Sequence, residues 1–338
     1  MENFLPRVFD EKQIRRFFGN PEYGYDIQSS SAALLDPIWD LLDRGGKQWR
    51  PILLCLITEV LGGREDIVLP MAALCEMAHN GTLMIDDVED DSKLRRGKEC
   101  IHLLYGVDIA INAGNALYFL PLLIFKEYRE QKKVSDEVLL KCYELYSQEL
   151  LNVHLGQGLD IHWHQGKKNP GAQEYLQMCA YKTGVLARLS ARLGALLSGA
   201  SPDFIQSIGK FAESIGVAFQ IQDDLLNISG EEFAKKIDIM GEDIHEGKRS
   251  LMVIHSLETA PEHKRNRLIE ILDSKTSDAL IIKEAIDIMK STNSLVHSKQ
   301  VASDIISNAW KEIEPLLPET PAKYKLKVFA DYLINRSI

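Results

Sequence analysis

Five carboxylates, Asp86, Asp87, Glu89, Asp90 and Asp91, fall within six consecutive positions of the run MIDDVEDDSKLRRGK. The run continues a helical pattern that begins near Val68, which makes Asp86 and Asp90 i,i+4 neighbours. Their β-carbons would then stand roughly 5 to 6 Å apart on one face, where like charges repel unless a cation sits between them. Magnesium suits such a pair, because it takes carboxylate oxygens at about 2.0 to 2.1 Å, keeps several waters and completes its shell with phosphate oxygens. Arg95 and Arg96 follow within about two turns and offer planar, multi-donor groups matched to phosphate. An isolated acidic run is ordinarily a solvated helix end, but this one has a counterpart. In GVAFQIQDDLLNISG, Asp223 and Asp224 lie between Phe219 and Ile221 on one side and Leu225, Leu226 and Ile228 on the other. Ionised carboxylates in apolar surroundings need a partner or a metal. The two pairs are 137 residues apart (223 − 86), and could face one another across a helical cavity.

Further polar groups are ambiguous taken singly. In RGGKQWRP, Lys47 and Arg50 stand near a helix start, where free N–H groups and the helix dipole favour an anion. A loop with solvent-facing bases explains that segment equally well. GEDIHEGKRS gathers Asp243, Glu246, Lys248 and Arg249 before an apolar helix, which alone reads as a charged surface loop. Lys182 and Thr183 in YKTGVLARL, His79 and Gln220 have ordinary structural readings too.

The elements that must position these groups are helical. Stretches such as IWDLLDRGGKQWRPILLCLITEVL and VLLKCYELYSQELLNVHLGQGL place apolar residues at three- and four-residue intervals, and strand signals are scarce. Breakers fall between the runs, at Gly45-Gly46, Gly62-Gly63, GKKNPG, Ser201-Pro202 and Ala260-Pro261. The pattern implies an all-α chain, a single large helical bundle domain over residues 31–338. Residues 1–30 have an irregular pattern and are expected to form a loosely attached N-terminal extension.

Bulk composition agrees. Hydrophobic residues are 45% and charged residues 26% of the 338, an ordinary globular balance. The formal net charge of −10 speaks against a nucleic-acid partner, which is usually met by a basic surface. Five cysteines without a CxxC pattern suggest neither a disulfide framework nor a zinc site. The N-terminus lacks the apolar core of a signal peptide, so a cytoplasmic location is expected. The most apolar window, 107–125, is interrupted by Asp108, Asn112, Asn115 and Pro121, and reads as a buried core helix rather than a transmembrane segment.

Taken in order, these motifs resemble the trans-prenyl diphosphate synthases, and within them most of all the geranylgeranyl type. GGKQWRP is similar to that family's GGKxxRP motif, DDVEDDSKLRRG to its first aspartate-rich motif and FQIQDDLLN to its second. KTG lies between the two aspartate motifs and EGK after the second. The likeness runs from about Leu34 to Arg249, with a weaker echo in FADYLINR.

The resemblance implies a magnesium-dependent prenyltransferase, with three ions per active site. Asp86 and Asp90 would bind two ions and Asp223 a third, assisted by Asp87, Asp224 and Asp243. Arg95, Lys182 and Lys248 would contact the allylic diphosphate, and Lys47, Arg50, His79 and Arg96 the isopentenyl diphosphate. Gln220 and the backbone at Lys182 and Thr183 would steady the developing cation. One departure is Asn227, which stands where an aspartate is commoner and puts ligation by that residue in doubt. Gly81 and Thr82, five and four residues before Asp86, are small where aromatic residues in the family resemble a floor that stops the chain at C15. Their size favours a C20 or longer product, although Tyr118 and Phe119 could set the floor elsewhere. The family is homodimeric, so a homodimer is expected. A class I terpene cyclase shares the first motif but needs no second diphosphate site, and a non-catalytic partner subunit would not need intact metal and base motifs.

Overall fold

The computed structural model describes residues 1–229 and 241–335, the side chains of residues 229, 334 and 335 excepted. Arg336 of the FADYLINR echo lies outside the described residues. Among the described residues the chain is all-α, and its one extended pair is Leu94–Arg95 against Lys98–Glu99, antiparallel and two residues each. The chain divides into two compact units, Met1–Leu145 with Leu196–Gly199, and Tyr146–Ala195 with Ala200–Ile338, where the sequence pattern gave one domain over 31–338.

In the first unit the helix Glu65–Glu89 carries the first aspartate motif. Glu65 and Asp66 sit in its first turn, where the positive end of the helix dipole favours acidic groups. Leu74, Met77, Ala78, Gly81 and Met84 are buried along it, the three- and four-residue spacing of a core-facing stripe. That stripe packs on the helices Trp49–Val60 and Val107–Phe119.

Residues 1–30, expected to be loosely attached, supply core side chains. Leu5 and Ile14 are buried, Asp10 and Gln13 close a capping box on the helix Glu11–Phe18, and Trp39 Nε1 donates to Pro6 O at 2.8 Å. Phe17 meets Phe4 and Phe9 edge to face. Phe4 and Phe9 lie outside the helix, so no helical period announced this cluster.

The apolar window 107–125 behaves as a core helix on one face only. Ala110, Ala113, Leu117 and Tyr118 are buried, whereas Val107, Ile111 and Phe119 are exposed. The helical stretch Val107–Glu130 is long and apolar enough to cross a membrane by length and composition, with 44% of its most apolar window buried. Polar interruptions at Asp108, Asn112 and Asn115 misled the reading, because apolar residues lie on both sides of them around the helix.

The second unit holds Pro202–Ser229, the helix of the second aspartate motif, packed on Ser294–Ile313. Beside it the chain makes a widened π turn over Ala180–Gly184 and continues as Val185–Leu197. A β-carbon on Gly184 would meet Glu213 O at 2.9 Å, so glycine is what lets these two helices close up. π turns of this kind are frequent at functional positions, and this one carries Lys182 and Thr183.

Candidate active site

The first-motif helix ends at Glu89, earlier than the pattern suggested, and Asp90 is its C-cap. No basic residue stands in the last turn, and carboxylates crowded there oppose the negative end of the helix dipole. The Asp90 N–H still donates to Asp86 O at 2.9 Å, so the i,i+4 relation survives. The chain then turns back through the short hairpin, which brings Arg95 beside the motif rather than two turns further along a helix. Arg95 Nε donates to Asp87 Oδ1 at 2.8 Å, and Arg95 Nη2 lies 3.7 Å from Asp86 Oδ2.

Asp87 is turned inward, its side chain 1% exposed. Burial pushes its carboxyl up from the ordinary range, and Arg95 opposes that shift. Burial works against the charge on Arg95 as well, but Asp87 and Asp86 outweigh it and raise its pKa. Asp87 therefore holds Arg95 in place, whereas Asp86, partly exposed, remains at the motif's open face.

The bases of GGKQWRP gather in the same unit. Gln48, in the left-handed region with φ 45°, caps Trp49–Val60, which sets Arg50 in a first turn whose N–H groups have no helical acceptor. Arg50 is buried, stacks on Trp49 with its guanidinium carbon 4.5 Å from the ring centre, and reaches His79 Nε2 at 3.2 Å. Burial, then Arg50, Arg96 and Arg95, push the His79 pKa well below its ordinary value, so the ring is neutral at physiological pH. Arg96 Nη1 donates to Leu41 O at 3.2 Å, and a β-carbon on Gly46 would meet its guanidinium at 2.9 Å. Arg50, His79 and Arg96 thus form one cationic cluster around a neutral imidazole, with Lys47 exposed nearby in sequence.

Of the two proposed chain-length positions, Gly81 is committed to packing. A β-carbon there would meet Gly114 O and Leu117 Cβ at 2.9 Å and the Tyr118 ring at 3.1 Å. Thr82 is half-buried and donates to His79 O at 2.7 Å.

In the second unit Asp224 is buried and accepts from Tyr175 OH at 2.7 Å and from Gln220 Nε2 at 2.9 Å. Thr183 Oγ1 donates to Gln220 Oε1 at 2.7 Å, so a chain of donors runs from the π turn to the aspartate. Lys182 Nζ donates to Asp160 Oδ2 at 2.6 Å. Lys248 Nζ reaches Glu246 Oε2 at 2.5 Å and Asp243 Oδ1 at 3.2 Å. Asn227 takes a tethering role, its Oδ1 accepting from the Asp243 N–H at 3.3 Å. Arg249 turns away to Asn169 and Asp273. Burial pushes the Asp224 and Asp243 carboxyls up to about 6; Tyr175, Gln220 and Lys248 restrain the first and Lys248 the second, while Asp223 raises Asp224 and Asp224 raises Asp243. Asp223, partly exposed, adjoins this group.

These donors fit a hard divalent ion. Magnesium is commonly held through one or two carboxylates, with substrate phosphates and water completing its shell. Burial disfavours the ionised carboxyls of Asp224 and Asp243 even with Lys248 beside them, and a bound cation would favour their charged form.

Sequence reasoning missed Asp160 and Tyr175. Asp160 stands at the end of GQGLD and Tyr175 in an amphipathic helix, Ala172–Cys179. Nothing local distinguishes them, because their partners are 22 and 49 residues away.

Comparison with known proteins agrees with this geometry. Residues 31–289 match the polyprenyl synthetase family. The chain is 34% identical over 281 residues to a geranylgeranyl pyrophosphate synthase of Metarhizium anisopliae, covering 83% of this chain and 80% of that one. It is 39% identical over 253 residues to a short chain isoprenyl diphosphate synthase of Methanocaldococcus jannaschii, covering 74% of each. Among solved structures, the geranylgeranyl pyrophosphate synthetase of Pyrococcus horikoshii superposes with a TM-score of 0.82 at 28% identity, over 96% of this chain and 94% of that one. With its motifs in place, its helical fold and its relatives in agreement, the chain belongs to the polyprenyl synthetase family.

Proposed function

We propose that the protein condenses isopentenyl diphosphate with an allylic diphosphate, head to tail, to give a longer all-trans prenyl diphosphate, with geranylgeranyl (C20) diphosphate as the main product. The observation that carries this reading is the Arg50–His79–Arg96 cluster, an anion site additional to the carboxylate-held Arg95, Lys182 and Lys248. A transferase with two diphosphate substrates needs two such anion sites, and a cyclase needs one.

Asp86, Asp90 and Asp223 are the proposed magnesium ligands, supported by Asp224 and Asp243. Three bound ions would supply positive charge to the allylic diphosphate as its carbon–oxygen bond breaks. Arg95, fixed by Asp87, and Lys182 and Lys248, fixed by Asp160 and Asp243, place further charge on that leaving group in preset positions, which lowers the reorganisation needed in the transition state. Gln220 and Thr183 present a dipole toward the developing allylic cation. Lys47, Arg50, His79 and Arg96 hold isopentenyl diphosphate, and neutral His79 can donate one hydrogen bond without adding a proton to the exchange. The alkene carbon of isopentenyl diphosphate attacks the cation, and the proton then lost goes to the departing diphosphate. Water has to be kept from the cation throughout.

We place the enzyme in the cytoplasm as a homodimer. Its five cysteines form no disulfide, as expected in a reducing compartment. Val107, Ile111 and Phe119 on one helix, and Leu140 and Tyr143 on the helix Asp136–His164, are exposed apolar residues of the kind that a second copy covers. Product-length analysis with labelled isopentenyl diphosphate and C5, C10 and C15 primers tests the function. Label in C20 from each primer supports it, and hydrocarbon released from primer alone points to a cyclase instead.

A further inference from the structure

Within the second unit a second charged layer lies at a fixed distance from the diphosphate-binding groups. Arg188 grips Glu149 with two nitrogens, Nε to Oε1 at 2.7 Å and Nη2 to Oε2 at 2.5 Å, and its Nη1 pairs with Glu213. Arg192 Nη1 joins Glu149 Oε1 at 3.2 Å. These four charges come from three helices, Asp136–His164, Val185–Leu197 and Pro202–Ser229.

Their register matches that of the site. Glu149 precedes Asp160 by 11 residues (160 − 149), and Glu213 precedes Asp224 by 11 (224 − 213). Eleven residues are three helical turns, so each glutamate shares a face with its aspartate about 16 Å away along the axis. Two turns before those aspartates, the same faces carry Val153 and Val217. On the third helix every residue from Thr183 to Ala195 is buried except Arg188 and Arg192. The side chains of Arg188 and Glu213 are 15% and 27% exposed, so the cluster borders open space rather than closed packing.

We propose that this Glu149–Arg188–Arg192–Glu213 cluster is the polar floor that sets the maximum length of the prenyl chain, an inference that rests on the prenyl-transfer reading. A prenyl unit advances through four carbon–carbon bonds of about 1.5 Å each, or about 5 Å when extended, so about 16 Å accommodates three units. A C15 tail fills that depth, and a C20 tail meets the charges. Extending further would strip water and ion partners from four charged groups without replacing them, a cost that an alkyl chain cannot offset.

The test removes all four charges together, as Glu149→Leu, Arg188→Leu, Arg192→Met and Glu213→Leu, so that none is left buried alone. With a C15 primer and excess labelled isopentenyl diphosphate, the floor predicts that C25 and longer products become the majority while the first addition proceeds at the wild-type rate within about 10-fold. Should the quadruple variant not fold, Arg192→Met alone, which breaks one contact, is expected to raise the C25 fraction about 10-fold. A folded, active variant with the wild-type product profile overturns the floor and leaves prenyl transfer standing. A wild-type chain that elongates no primer overturns prenyl transfer, and the floor with it.

Discussion

At the scale of single residues, the site pairs Arg95, Lys182 and Lys248 each with a carboxylate that fixes it. Asp86→Ala is expected to lower turnover at least about 100-fold while helical circular dichroism stays unchanged; near-wild-type turnover would remove Asp86 from the metal site. Tyr175→Phe leaves the buried Asp224 carboxylate with one donor fewer. Magnesium affinity, read by titration calorimetry, should fall about 10-fold, whereas an unchanged affinity would reduce Tyr175 to packing. The same carboxylates predict a pH dependence. Asp224 and Asp243 have folded values of about 6 against an ordinary 3.8, so between those values the metal-free fold binds more protons than the unfolded chain. The contribution of these two groups to stability is fully present below that window and is lost as pH rises through about 4 to 6. Magnesium cancels the repulsion, so the rise in melting temperature on adding it should be larger at pH 7.5 than at pH 5. In the sequence, the density of the first aspartate motif and the apolar setting of the second made Asp86, Asp87, Asp90, Asp223 and Asp224 candidates, whereas Lys47, Arg50, Lys182 and Lys248 became candidates only through the order of the motifs. Asp160 and Tyr175 were not legible there, since their roles come only from contacts made by folding.

Helices and turns decide which of those residues can act. The first-motif helix stops at Glu89, and the hairpin that follows delivers Arg95 to Asp87. The sequence pattern carried the helix through the arginines because apolar spacing does not record the dipole at a helix end. Gly81 shows a second limit. Its small size suggested room for a prenyl chain, but the backbone of Val107–Phe119 occupies the space beside it. Gly81→Val should therefore lower stability by about 1 to 3 kcal/mol, measured by denaturant unfolding, with any change of product length secondary. Thr82→Phe, on the half-buried neighbour of Gly81, is expected to shorten the main product below C20. An unchanged chromatographic profile would take Thr82 out of chain-length control.

For the whole molecule, the all-α class was readable from periodicity alone, and the family from the order of the motifs. Half of the most apolar helical stretch faces outward, which we assign to a second copy of the chain. Ile111→Asp with Phe119→Glu should weaken self-association about 100-fold, seen by light scattering as a shift to the monomer mass; a wild-type chain already monomeric would refute the assignment. The central claim is that the aspartates of both motifs hold magnesium ions on one diphosphate. A crystal soaked with magnesium and a bisphosphonate tests it most directly. The account predicts ions ligated by Asp86, Asp90 and Asp223 and bridged by the bisphosphonate oxygens, and a bisphosphonate bound with no ion at those three carboxylates would contradict it.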